Sequence, residues 1–296
     1  MVTFYRRLPK FDYLKPQSLD ELLDLLGHSG KGKYKVYAGG TDIIPKLKSR
    51  LISAPEILIN LKGIPDLDYV SYDVENGLQI GALATIQSVV SSTNIADNFP
   101  ALFQAARSIA SIQVQNRGTI AGNICNAVPS ADSAPALLCY NAHLISVSNG
   151  GERVIKIEDF FKEPGKTALE HDEILKSIHI PPAPEKSYSV YIKLTTRKRM
   201  DLAIVGVAIV ISLEEGIVNH IRIGLGSVAP TPMRAVKAES LLLGEEASDE
   251  AIGAAARQAA DDSKPIDDHR ATAEYRKMMV EVLVKRAIKR AVINWT

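Results

Sequence analysis

The chain has 296 residues, 46% hydrophobic and 23% charged, and its 35 basic and 34 acidic side chains leave a formal net charge of +1. That composition fits a soluble globular protein with room for two or three domains. The balance gives no electrostatic reason to expect nucleic acid or an anionic membrane as the main partner. Two cysteines, Cys125 and Cys139, exclude a disulfide scaffold, fit a reduced cytoplasmic setting and cannot supply the four thiolates of an iron–sulfur cluster.

The opening stretch, MVTFYRRLPKFDYLKP, has neither the apolar core nor the small-residue cleavage site of a signal peptide. The longest apolar run, Ala203 to Leu213, is broken by Gly206 and Ser212 and is too short to span a bilayer, so no membrane contact is expected. Ser18-Leu19-Asp20-Glu21 reads as a capping box opening a helix through Leu26 that Gly27 ends. Lys33 to Ala38 predicts a short strand that turns sharply at Gly39-Gly40. With a second strand over Glu56 to Asn60 it forms a small βαβ unit. Leu78 to Leu83 is a further strand, Thr85 caps the helix after it, and Phe99 to Ile112 has helical periodicity.

Glycine and small residues dominate from Gly118 to Asp132, and Ser133 to Leu138 suits a short helix. Leu144–Val147 and Val154–Ile157 pair around the turn Asn149-Gly150-Gly151, and Glu173 to Ile180 is another strand. Pro181, Pro182 and Pro184 then mark a domain boundary. Beyond it lie strands over Tyr188–Leu194, Ala203–Leu213 and Ile217–Gly224, followed by helices from Ala235 onward. Strands followed by helices indicate an α+β fold in place of a doubly wound parallel sheet. The basic run Arg197-Lys198-Arg199 is expected on a solvated face.

Two glycine-rich segments carry the chemistry. The first, Tyr37-Ala38-Gly39-Gly40-Thr41-Asp42, follows a strand directly. Paired glycines turn tightly and let a ligand approach the backbone, and successive N–H groups with the Thr41 hydroxyl form a concavity for phosphate oxygens. A helix starting near Ile43 would add partial positive charge. The plainer reading is a strand-to-helix turn with Asp42 as its cap.

The second segment, Gly118-Thr119-Ile120-Ala121-Gly122-Asn123, again offers neutral donors, and Pro129-Ser130-Ala131-Asp132 follows it. Asp132 could accept from ribityl or ribose hydroxyls or cap the next helix. Arg117 is a phosphate neutraliser or a surface ion-pair partner. Neither G-x-G-x-x-G after the first strand nor G-x-x-x-x-G-K-S/T occurs, and Gly224-Leu225-Gly226-Ser227 reads as a turn. The six histidines are scattered, with no H-E-x-x-H and no nucleophile elbow.

AGGTD at 38–42, NRGTIAGN at 116–123 and AVPSAD at 127–132 together resemble the FAD-binding medium subunit of the molybdenum hydroxylases. That family includes xanthine, carbon monoxide and nicotinate dehydrogenases. The resemblance continues through EILKSIHIP at 173–181, YIKLTTRKRMDLA at 191–203 and GLGSVAPTPMRA at 224–235, in the family's order over nearly the whole chain. It implies a two-lobed FAD-binding domain of the vanillyl-alcohol oxidase/PCMH type over residues 1–180, with a small lobe over 1–60 and a larger one over 61–180. A C-terminal α+β domain, antiparallel strands and then helices, occupies 185–296.

Carried over residue by residue, the pyrophosphate loops of the family fall on Val36, Tyr37, Ala38, Gly39, Gly40, Thr41, Asp42 and Ile43, and on Thr119, Ile120, Ala121, Gly122 and Asn123. The resemblance places flavin contacts at Asp132, Leu175 and Lys193. Ile109 stands where some relatives place an aromatic against the isoalloxazine. Ala121 replaces the first glycine of the commoner T-I-G-G-N string, which requires a negative φ there. Met200 stands where xanthine dehydrogenases carry an acidic residue.

The resemblance implies one FAD on this chain. It places the molybdenum cofactor on a molybdopterin-binding large subunit and two 2Fe–2S clusters on a small subunit. Electrons would pass from them through the flavin to NAD(P)+ or another soluble acceptor. Flavin joins one-electron donors to two-electron acceptors, so no catalytic acid or base is expected on this chain. The 4-hydroxybenzoyl-CoA reductase branch, with a four-cysteine cluster in this subunit, is excluded by the cysteine count. An N-heterocycle, nicotinate first, is the expected substrate, turned over on the molybdenum subunit; the alternative is a stand-alone flavin oxidoreductase with its own substrate site.

Overall fold

A computed structural model describes residues 7–28, 30, 32–197 and 200–295; Lys198 and Arg199 of the basic run lie outside the described residues, and Arg197 is exposed. Half of the capping box is formed as expected, with Ser18 Oγ accepting the Glu21 amide at 3.1 Å, while the Glu21 carboxylate reaches one residue further back and accepts the Gln17 amide at 2.7 Å. The helix it opens, α1 (Leu19–His28), runs through Gly27 instead of ending there. A Cβ on Gly27 would stand 2.5 Å from Asn149 Nδ2, and that amide donates to Leu23 O at 3.1 Å. Gly27 is therefore a close-approach glycine and not a stop.

β1 (Asp12–Leu14), a strand too short for the sequence pattern to announce, and β2 (Tyr34–Tyr37) both pair parallel with β3 (Ile57–Asn60). With α2 (Ile43–Ser49) as the crossover, this is the expected βαβ unit, in a sheet ordered β1-β3-β2.

The second sheet is antiparallel, ordered β4-β5-β10-β6-β7, from β4 (Val70–Asp73), β5 (Gly77–Gly81), β6 (His143–Ser148), β7 (Gly151–Lys156) and β10 (Ile174–Ile180). Between β5 and β6 come six short helices: α3 (Ile86–Val90), α4 (Thr93–Asn98), α5 (Pro100–Ser108), α6 (Ile112–Gln115), α7 (Ile120–Cys125) and α8 (Ser133–Cys139). As expected, Thr85 caps α3, accepting the Ser88 amide at 3.0 Å. Between β7 and β10, α9 (Ile157–Phe160) leads into a small hairpin of β8 (Phe161–Glu163) and β9 (Lys166–Thr167).

Two expectations in this region are corrected. The helix predicted over Phe99–Ile112 breaks after Ser108, because Ala110 takes a left-handed φ of 46°. Gln115 Nε2 supports the break by donating to Ile109 O at 2.8 Å and Arg107 O at 3.2 Å. The small-residue stretch after Gly118 is also not all loop, since α7 occupies Ile120–Cys125.

The third sheet is antiparallel: β11 (Ser187–Leu194), β12 (Val205–Glu214), β13 (Ile217–Gly226) and β14 (Met233–Arg234). It is followed by α10 (Val236–Ser240), α11 (Asp249–Asp262) and α12 (Ala273–Trp295). Val207, Ile209, Ile211, Ile221 and Ile223 share a core with Ile252, Ala255, Val284 and Ile288, whereas Ala208 and Val210 belong to the other core, with Leu137 and Phe99. Burial on both faces explains the mostly apolar run at 203–213. Among the described residues no helix is long and apolar enough to cross a membrane.

Gly224 and Gly226 lie in β13, so the turn expected there is corrected as well. A Cβ on Gly224 would stand 2.3 Å from Pro135 O and 3.0 Å from Cys139 Sγ, so the glycine lets α8 lie against the strand.

Arg276, almost fully buried on α12, donates to Ile204 O at 2.7 Å and Ser227 O at 3.0 Å and pairs with Asp268 at 2.8 Å. Burial works to raise the Asp268 pKa, but the amides of Arg270 and Ala271 and the Arg276 guanidinium outweigh it and hold the carboxyl at about 2. A depressed folded-state pKa gives stability that is present above the ordinary carboxylate value of about 4 and lost as pH falls through the folded value. The thermal midpoint should therefore fall between about pH 4 and about pH 2. Asp268→Asn should remove that part of the acid slope in a melting series against pH; an unchanged slope would place the acid sensitivity elsewhere.

Candidate functional site

The carboxyl ends of β2 and β3, the α5–α8 layer and the β11–β12 connection enclose an open cleft of about 1000 Å³. Val36, Tyr37, Ala38, Gly39, Gly40, Thr41, Asp42, Ile43, Ile109, Thr119, Ala121, Gly122, Asn123, Asp132 and Leu175 all line it. Ile120 does not: it is fully buried in the core. Lys193 also stands outside the lining, behind Asp132.

The two glycine segments, far apart in sequence, meet edge to edge. A Cβ on Gly39 would lie 2.3 Å from Arg117 O and 2.7 Å from Gly118 Cα. A Cβ on Gly118 would lie 3.4 Å from Thr41 Oγ1. Gly118 O accepts the Ile86 amide at 2.8 Å, and Thr119 Oγ1 caps α7 by accepting the Gly122 amide at 2.9 Å. Gly40 has φ +76°, a conformation that strains any L side chain. Ala121 sits inside α7 and is not among the positive-φ residues, so alanine meets the condition the sequence set for it.

Asp42 precedes α2 but makes no side-chain cap bond. Its Oδ1 accepts from Asn126 Nδ2 at 3.0 Å, and Asn126 Oδ1 accepts from Lys46 Nζ at 2.6 Å. Asp132 likewise precedes α8 without capping it. Instead its Oδ1 accepts from Tyr191 OH at 2.7 Å and its Oδ2 from Lys193 Nζ at 2.8 Å; Lys193 also donates to Ser108 O at 3.3 Å. Tyr191 and Lys193 are alternate residues of β11 and so point the same way. Burial raises the Asp132 pKa, while Lys193 and the Tyr191 hydroxyl oppose the shift; burial beside that carboxylate also pushes the Tyr191 phenol well up, keeping it a neutral donor.

The break at Ala110 turns Ile109 into the cleft, where it and Leu175 give apolar surface. Arg117 is exposed and its side chain does not line the cleft, so only its carbonyl serves the loop junction. Burial pushes the Cys125 thiol up to about 12, leaving an unreactive thiol on the cleft wall. The sequence reading missed Lys35, Lys46 and Asn126, as well as Asp201 and Leu202 on the far rim, where Met200, singled out by the resemblance, also lines the cleft. Asn126 lies three residues beyond the second segment and Lys46 one helical turn beyond Asp42, and neither offset marks a ligand by itself.

Among the described residues no group of histidine, cysteine or carboxylate side chains could hold a metal ion. What the cleft offers is backbone amides, hydroxyls and apolar walls, with Lys35, Lys46 and four carboxylates among its lining. This lining suits a long amphipathic ligand with a diphosphate at its middle, and the glycine cradle would be filled by any side chain.

Residues 9–183 match the FAD binding domain in molybdopterin dehydrogenase, and residues 190–291 match the CO dehydrogenase flavoprotein C-terminal domain. The glyceraldehyde dehydrogenase medium chain of Sulfolobus acidocaldarius is 33% identical, over 95% of this chain and 98% of that protein. The putative xanthine dehydrogenase FAD-binding subunit of Escherichia coli (strain K12) is 32% identical over 95% of each. A solved carbon monoxide dehydrogenase from Hydrogenophaga pseudoflava superposes with a TM-score of 0.93 at 35% identity, covering 97% of this chain and 99% of that one. Fold and cleft thus define a FAD-binding oxidoreductase component. The chain belongs to the family of FAD-binding medium subunits of the molybdenum hydroxylases.

Gly40→Val is expected to lower the FAD content of the purified protein several-fold, by about 1 kcal/mol or more of backbone strain and by contact with the Tyr37 ring, 3.2 Å from a Cβ there. Asp42→Asn keeps a carbonyl acceptor for Asn126 and should change FAD content little. The ratio of flavin to protein absorbance checks both, and full retention in Gly40→Val would remove Gly40 from the site.

Proposed function

We propose that this chain is the FAD-carrying electron-transfer subunit of a molybdenum-dependent dehydrogenase. Its two glycine segments hold the pyrophosphate, and Ile109, Leu175 and Asp132 face the flavin end, with Lys193 fixing Asp132 from behind. The observation that carries this reading is the contact of Gly39 with Arg117 and Gly118, which joins the two segments into one cradle. Bound flavin supplies exchange between one- and two-electron steps. The residues of this chain bind and orient it and keep water from its buried face; none is placed to move a proton on a substrate.

The proposed partners are a molybdopterin-binding large subunit and a small subunit with 2Fe–2S clusters, in the cytoplasm. Relatives are named for glyceraldehyde, carbon monoxide, xanthine and nicotine, so the same medium subunit serves unlike substrates, consistent with a substrate site on a partner. Nicotinate and NAD(P)+ are the specific substrate and acceptor to test first. The proposed division into a flavin domain over 1–180 and a C-terminal domain over 185–296 is supported by the two cores, with Tyr191, Ala208 and Val210 of the third sheet packing into the first of them.

The isolated chain should carry flavin absorbing near ~450 nm and turn over no N-heterocycle alone. Turnover should appear only with the partner subunits present. Substrate oxidation by the isolated chain would overturn the reading in favour of a stand-alone flavin oxidoreductase.

A further inference from the structure

Every carboxylate lining the cleft is already engaged. Asp132 is held by Lys193 and Tyr191, and Glu173 by Arg153 at 2.5 Å. Asp201 is held by Thr196 and the amides of its own loop, and Asp42 by Asn126. The glycine segments add neutral donors only. A pyrophosphate brings two negative charges into this setting, and the arginine beside the second segment does not line the cleft.

Of the two lysines on the cleft lining, Lys35 and Lys46, Lys46 is the one anchored beside the glycine segments. It lines the cleft, and among the described residues its only hydrogen-bond acceptor is Asn126 Oδ1 at 2.6 Å, with no carboxylate within salt-bridge distance. An ammonium has three donors, so two remain for a ligand. Its amide donates to Asp42 O at 3.1 Å, one turn back along α2. Helical side chains lean toward the N-terminus of their helix, so the Lys46 stem runs back toward the Gly40–Asp42 segment. There Asn126, which directly follows α7, receives the ammonium while its own amide group donates to Asp42. The charge is thereby fixed where the elements following the two glycine segments come together.

We propose that Lys46 is a phosphate ligand of the bound dinucleotide, supplying the positive charge that neither glycine segment carries, and that Asn126 is the positioning residue that holds its ammonium. This rests on the FAD reading of the cleft and adds a charged contact to it.

The test is equilibrium binding of FAD, and of ADP as a probe with a pyrophosphate but no flavin, to protein stripped of flavin. Lys46→Met is expected to weaken both about tenfold, the worth of one charge-assisted hydrogen bond. The affinity of the unsubstituted protein should fall from low to high salt, and that fall should shrink in Lys46→Met, because screening acts on the charge. Lys46→Arg should recover most of the affinity and its salt dependence. Equal FAD binding by Lys46→Met overturns the proposal, and so does a loss of affinity with unchanged salt dependence, which would mark a merely structural lysine. No FAD or ADP binding by the unsubstituted chain would overturn the function proposed above, a result distinct from either.

Discussion

Gly39→Ala is expected to leave a folded protein that purifies with less than about a tenth of its FAD, a loss of at least ~1.4 kcal/mol in binding. The added Cβ would meet Arg117 O at 2.3 Å, Gly118 Cα at 2.7 Å and the Arg117 carbonyl carbon at 2.9 Å. All three are backbone atoms, so no side-chain rotation can relieve the overlap. The second segment is the less able to yield. Its Gly118 accepts from Ile86 at 2.8 Å and donates to Val114 at 2.6 Å, and Thr119 caps α7. The shift therefore falls on Gly40 to Asp42 and displaces the amides that face the ligand. At Gly40 the nearest atoms are the movable side chains of Tyr37 and Ile44, at 3.2 and 3.4 Å, so Gly40→Ala should lose less FAD than Gly39→Ala even with its φ strain. Flavin-to-protein absorbance, with far-ultraviolet circular dichroism as the folding control, reads the difference. Full FAD retention in Gly39→Ala would show that the joined segments are not the cradle.

Features governed by near neighbours could be read in the sequence. The caps at Ser18 and Thr85 depend on residues three positions apart, and the βαβ unit on three consecutive elements; each formed as expected. Two errors, at Gly27 and Gly224, came where a distant segment decides. Gly27 looked like a helix stop because its reason, Asn149, lies on the β6–β7 turn. Gly224 looked like a turn residue because its reason is α8. Ala110 breaks a helix although alanine favours one, since Gln115 satisfies the carbonyls that the break exposes.

The cleft shows the same division. The glycine segments were legible separately, their shared neutral donors suggested one pyrophosphate between them, and the ordered motifs of the family strengthened that pairing. Their contact, and the Lys46–Asn126–Asp42 chain beside it, are tertiary facts that no spacing rule carries.

Asp132→Ala is expected to destabilise the protein by roughly 3–5 kcal/mol, since it leaves an almost buried charge without its partner. The Lys193 side chain is 10% exposed, and without Asp132 its remaining contact is Ser108 O at 3.3 Å. The Tyr191 hydroxyl loses its acceptor as well, and it has little freedom to move, because it packs over Gly206, where a Cβ would stand only 2.8 Å away. Against a total stability of about 5–15 kcal/mol, the change should move the urea midpoint strongly. These bonds also tie β11 to the segment that opens α8, so their loss should loosen the seam between the two cores. The double substitution Asp132→Leu with Lys193→Met removes both charges and should recover much of the stability. It should not recover the flavin environment, because the carboxylate on the cleft wall is gone. A double variant that is stable but has a displaced flavin absorbance band or potential would separate the two roles of Asp132. A single variant as stable as the unsubstituted chain would mean that Lys193 finds another partner and that the pair does not hold the seam.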